Sequence, residues 1–109
     1  MTDPEPVTAL KPADFYILLV LLDCPRHGYQ IMKEVERESG GAVRVEVGTL
    51  YRVIGRLLQM GLIEEHEGDG RRRSYGLTRV GRRAVKAEAA RLEGLVNQLR
   101  IRKLLPPRA

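Results

Sequence analysis

The sequence predicts a mainly α-helical fold with a small β-hairpin, ending in one long helix. Three observations carry this reading. Apolar residues recur at three- and four-residue spacing in separate stretches on both sides of residues 62–78. Between those stretches, LIEEHE (62–67), a turn at Gly68-Asp69-Gly70 and RRSYGLT (72–78) have the pattern of a hairpin, with glycine at both ends of the turn to supply its unusual backbone angles. The chain has 109 residues, which makes one domain the expectation.

Residues 1–10 carry prolines and acids and are expected to be flexible. Pro12 suits the first turn of a helix, and Pro25 ends that helix near Asp23. Its centre, FYILLVLL, is apolar on every side and so needs cover on every side. A domain this small is expected to cover one face, leaving Phe15, Leu18 and Leu22 to meet a second subunit. The next helix spans His27 to Ser39, with Tyr29, Ile31, Met32 and Val35 inward and Glu34, Glu36 and Glu38 mostly outward. Gly40-Gly41 ends it, and the alternation Arg44-Val45-Glu46-Val47 predicts a very short strand.

Residues 48–63, GTLYRVIGRLLQMGLI, hold the most chemical information. As a helix over about 48–60, they gather Leu50, Val53, Ile54, Leu57 and Met60 on one side and Tyr51, Arg52, Gly55, Arg56 and Gln59 on the other. The first set is a core stripe. The second offers two guanidiniums, an amide, a phenol and a gap. Arg reaches guanine edges or phosphates and Gln reaches adenine, provided the helix fits the major groove. Gly55 costs roughly 1 kcal/mol of helix propensity, which a close approach by a ligand would explain. Gly61 stands where a helix C-cap belongs. A solvated face on a small domain is the plain alternative.

Thr78 is the expected N-cap of a last helix over 79 to about 103, roughly 37 Å long. Val85, Ala89, Leu92, Val96 and Leu99 recur along it at spacings of four and three, with Leu95 beside them. That is more helix than the domain needs, so Val85, Leu92, Leu95, Val96 and Leu99 are expected at a dimer interface.

Charge divides the chain. Residues 1–70 hold 7 Lys/Arg and 12 Asp/Glu, a balance of −5, and residues 71–109 hold 12 and 2, a balance of +10. A basic block after an acidic one suggests a surface for a polyanion; a solubilising tail is its plain alternative. Arg71, Arg72 and Arg73 at the hairpin tip are placed for phosphates or the minor groove.

Other functions lack their residues. The longest uninterrupted apolar run, Phe15 to Leu22, falls short of the roughly 20 residues of a membrane span. The opening TDPEP does not have the basic-then-apolar order of a signal peptide. Cys24 is the single cysteine, which fits a reducing cytoplasm. His27 and His66 have no metal-ligand spacing, and His27 is expected to bond locally at its helix start. No catalytic constellation, metal site or cofactor is expected.

Helix, helix, helix, hairpin, helix is the order of a winged helix-turn-helix, with the third helix in the major groove and the hairpin as wing. HGYQIMKEV (27–35), GTLYRVIGRLLQMGLI (48–63) and RRSYGLTRVGRR (72–83) together resemble the PadR family of transcriptional regulators, over about residues 13 to 100. The resemblance implies a dimer that represses transcription from an operator, of the short kind with one C-terminal helix and no separate effector domain. It implies that Thr49, Tyr51, Arg52 and Arg56 face DNA. Some members bind aromatic or drug-like effectors between subunits. The chain has no Trp, which argues against a tryptophan-lined pocket, and Phe15 and Tyr16 are the only aromatics placed near such a cleft. The expected division is a DNA-binding unit over 11–78 and a dimerisation helix over 79–105. The other functional class is a protein-interaction module that keeps the winged helix without reading DNA.

Overall fold

A computed structural model describes residues 10–67 and 72–108. Four helices and a small antiparallel sheet follow one another as α1 (Pro12–Val20), β1 (Arg26–His27), α2 (Gly28–Glu38), α3 (Val47–Gln59), β2 (Ile63–Glu67), β3 (Arg73–Leu77) and α4 (Arg79–Ile101). This is the winged helix-turn-helix with its C-terminal helix. The segment before residue 10 and the turn at 68–70 lie outside the described residues.

The core forms where the stripes of α1, α2 and α3 meet. Ile17, Leu18, Ile31, Val35, Leu50, Ile54 and Leu57 are wholly buried there, with Ile63 and Tyr75 closing it from the sheet. Full burial of such side chains supplies roughly 1.5–3 kcal/mol each, the main drive for this arrangement.

Several local expectations differ. The alternation at 44–47 makes no strand: Val47 already begins α3. Val45 precedes the N-cap Glu46 and is buried, as is Leu50 one turn into the helix. Apolar residues at these two positions make the hydrophobic contact that sets a chain's entry into a helix, so the valine serves a helix start. The third strand is instead β1, antiparallel to β3 with Arg26 opposite Tyr75 and His27 opposite Ser74, giving the order β1-β3-β2. Helix α1 stops at Val20 rather than Asp23 and passes into a turn, with Leu21 and Leu22 amides donating to Leu18 and Leu19 carbonyls. Tyr29 and Met60, expected inward, are 65% and 48% exposed. Each sits at a helix end, the first turn of α2 and the C-cap of α3, where packing no longer enforces the helical period.

The wing joins the body through its exit. Thr78 Oγ1 accepts from the Gly81 amide at 2.9 Å, capping α4 as expected, and the same hydroxyl donates to the Gly61 carbonyl at 2.7 Å. Gly61 itself takes φ +74°, the left-handed turn that ends α3. Gly81 is needed for a different reason: a Cβ there would stand 2.0 Å from the Leu62 carbonyl oxygen. The first turn of α4 therefore lies directly on the backbone leaving α3.

Candidate nucleic-acid interface

Helix α3 divides as its period requires. Leu50, Val53, Ile54 and Leu57 are buried, while Thr49, Tyr51, Arg52, Gly55 and Gln59 are exposed. A Cβ on Gly55 would meet nothing within 4 Å, so the gap on this face is open space. Arg52 has no ion-pair partner among the described residues.

Arg56 has a partner within the protein. Its Nη2 donates to Asp14 Oδ1 at 2.5 Å, and the two side chains are 37% and 8% exposed respectively. The second Asp14 oxygen accepts from the Lys11 amide at 3.2 Å, at the start of α1. One of the two guanidiniums on α3 thus has an ion-pair partner within the protein. Asp14 could not be singled out in the sequence, because nothing local distinguishes an acid that caps its own helix from one that also reaches a residue 42 positions away.

Tyr51 links α3 to α2 and the wing. A Cβ on Gly28 would lie 2.2 Å from Tyr51 Oη, so the phenol is seated against the first turn of α2. That is the physical reason for glycine after His27. A cleft of about 420 Å³ opens at this point, lined by His27, Gly28, Tyr29, Tyr51, Arg72, Arg73 and Tyr75 among others. The first turn of a helix presents amides without intrahelical partners and the positive end of its dipole, a favourable place for an anion. His27 holds that turn in shape: its amide donates to Gln30 Oε1 at 2.9 Å, and its Nδ1 lies 3.4 Å from the Arg73 carbonyl oxygen on β3. His27 therefore bonds locally and also ties α2 to the wing.

Tyr75 is buried, and that burial, reinforced by Glu65 and Tyr51, pushes its phenol above the ordinary value. It stays protonated at neutral pH. The two wing arginines that are described differ. Arg73 Nη1 donates to Glu65 Oε2 at 2.5 Å across the hairpin, and this hydrogen bond holds the guanidinium's pKa above its usual value. Arg72 is exposed and has no ion pair among the described residues. Arg71 lies outside them.

The residues expected at a dimer interface also separate. Leu18 and Val85 are buried in the protomer's own core and offer no surface to a partner. Phe15, Leu22, Leu92, Val96 and Leu99 are half-buried, and Leu95 is 48% exposed. Along α4 the last buried residue is Glu88, held below the ordinary carboxylate range by hydrogen bonds from Arg91. Among the described residues no group of three or more His, Cys, Asp or Glu could hold a metal ion, and no helix is long and apolar enough to cross a membrane.

The model of the "Transcriptional regulator PadR-like family" matches residues 17–87. A 37.1 kDa protein of transposon TN4556 from Streptomyces fradiae is 39% identical over 87 residues, covering 77% of this chain and 25% of that protein. The chain thus spans about a quarter of that relative. Protein X of Lysinibacillus sphaericus is 33% identical over 73 residues, or 63% of this chain and 67% of that protein. Among solved structures, a transcriptional regulator from Clostridium thermocellum superposes with TM-score 0.72 at 26% identity, covering 84% of this chain and 92% of that one. RosR of H. salinarum gives TM-score 0.66 at 31% identity, with 86% and 81% covered. A PadR family transcription regulator from Clostridium difficile R20291 gives 0.74 at 20% identity, with 83% and 96% covered, a likeness of fold alone.

Proposed function

Because the chain belongs to the PadR-like family of transcriptional regulators, which are regulators and not enzymes, we propose that it is a dimeric, sequence-specific DNA-binding repressor. One observation carries the reading. Tyr51, from the open face of α3, and Arg72 and Arg73 of the wing line one cleft together with the first turn of α2. Thr49, Tyr51, Arg52 and Gln59 then enter the major groove, with Arg52 and Gln59 on base edges. Arg72, its neighbour Arg71 and the α2 amides take phosphates. Arg73, balanced by Glu65, contributes less.

The dimer reading is supported by α4. Beyond Glu88 it has no buried residue, yet its apolar seam continues through the half-buried Leu92, Val96 and Leu99, with Leu95 beside them 48% exposed. A second copy of the chain, carrying the same seam, is the proposed partner, and two α3 helices related by a two-fold axis would read a palindromic site.

Selection of duplexes from a random pool tests the proposal. The expected result is enrichment of a palindromic sequence, bound with affinity that falls steeply as salt rises. A pool that emerges without enrichment, or binding indifferent to salt, would favour an interaction module that keeps this fold without reading DNA.

A further inference from the structure

We propose that Arg56, although it stands on the DNA-facing helix, is a positioning residue that fixes α3 against α1 through Asp14 and makes no contact with DNA itself. The inference rests on the DNA-binding reading and deepens it, dividing the two arginines of α3 between two tasks.

Three observations carry it. The Arg56–Asp14 bond is the one ion pair among the described residues that joins two helices; the others lie within one element, across the hairpin, or between neighbouring segments. Asp14 is 8% exposed and accepts from both the Lys11 amide and Arg56. If Arg56 left for a phosphate, a buried carboxylate would lose its countercharge, and an unpaired buried charge costs more than a solvent-facing phosphate contact returns. Finally, the apolar stripe of α3 sets which side of the helix is buried. Packing of Leu50, Val53, Ile54 and Leu57 is non-directional, whereas a charge-assisted hydrogen bond of 2.5 Å at the flank is directional. The pair thus adds a directional constraint on the angle at which Tyr51 and Arg52 are presented. It also cancels one positive charge on a face that would otherwise bind any duplex.

The competing arrangement is an Arg56 braced by Asp14 that donates its remaining N–H groups to DNA. Three variants separate the two: R56Q, D14N and the double variant D14N/R56Q, in which a neutral amide pair can keep the link. The probe is the duplex that the parent enriches from a random pool, with a scrambled duplex as control. Affinity is measured across salt, and thermal melting of the free protein runs in parallel. In our reading R56Q melts lower and loses selected-duplex affinity about tenfold or more, while its slope of log K against log salt stays that of the parent. D14N gains on the scrambled duplex, with a slope steeper by up to about 0.9, because a guanidinium is released. D14N/R56Q recovers melting and selected-duplex affinity to within a few fold of the parent. Recovery by a variant without the guanidinium is the result that a DNA contact cannot give. A double variant as weak as R56Q, with a slope shallower by about 0.9, would place Arg56 on DNA and overturn the proposal. Three variants that bind and melt like the parent would overturn it as well. A parent that enriches no duplex removes the DNA reading and this inference together, whereas failure of the double variant alone leaves the DNA reading standing.

Discussion

Helices α3 and α4 are built on the same sequence device and end with opposite surfaces. Each carries an apolar stripe at helical spacing. In α3 the stripe is consumed within the protomer, since Leu50, Val53, Ile54 and Leu57 are all buried, and what remains is a polar face with an open glycine gap. In α4 the stripe is consumed only as far as Val85 and Glu88. The 23-residue helix, about 34 Å long, then continues with its apolar residues only partly covered. A satisfied stripe leaves a helix free to read a ligand on its other side. An unsatisfied one leaves the stripe itself available to a partner. Periodicity alone does not tell the two apart.

The comparison breaks most visibly in stability. Leu57→Ala removes a fully buried side chain and should cost about 2–5 kcal/mol in urea unfolding, at every protein concentration. Leu95→Ala, at a half-exposed position, should cost under about 0.5 kcal/mol in the isolated chain. Its midpoint should fall further only at concentrations where the parent self-associates. Equal, concentration-independent losses would mean that the α4 stripe is internal core.

Leu92→Glu with Leu99→Glu sharpens the α4 half. Two unpaired charges placed in a closed seam cost several kcal/mol each. Sedimentation is expected to show a dimer for the parent and a folded monomer for the variant. A parent that sediments as a monomer at tens of micromolar removes the reason for the surplus helix.

On the α3 side, Arg52→Ala should weaken the selected duplex by about 1–3 kcal/mol and a scrambled duplex by much less, since Arg52 is exposed and has no ion pair among the described residues. Equal losses on both duplexes would reduce it to a neutraliser of phosphates.

Gly55→Ala separates folding from reading at one site. A methyl group there meets nothing, so the alanine should raise stability by up to about 1 kcal/mol through helix propensity. DNA affinity should drop nonetheless if the gap admits a close approach. A gain in stability with affinity unchanged would make Gly55 incidental.

The smallest effect concerns the wing. Arg72→Ala should flatten the salt slope by about 0.9, and Arg73→Ala by less because Glu65 already balances it. A triple neutralisation of Arg100, Arg102 and Lys103, at the far end of α4, is the control. If that control flattens the slope more than Arg72→Ala does, the C-terminal end is the polyanion contact.

Patterns whose cause is local were legible from residues alone. The helices of the winged helix-turn-helix, the hairpin, the Thr78 cap and the Gly61 turn each follow from a period or a short-range hydrogen bond, and each stands within a few residues of where the sequence indicated. The two faces of α3 followed too, because one amphipathic helix carries its own frame of reference. Tertiary structure decided whatever depends on which distant group arrives. It paired Arg26-His27 with β3, a strand of two residues that no periodicity can announce. It put glycine at 28 to admit Tyr51 and at 81 to admit the Leu62 carbonyl, two contacts that a sequence shows only as missing side chains. It placed Leu18 and Val85 inside the protomer. Above all it gave Asp14 to Arg56 and Glu65 to Arg73, so two of the arginines that read as free cations are balanced. Charge is countable in a sequence, but its neutralisation depends on distance, and distance between residues remote in the chain exists only once it is folded.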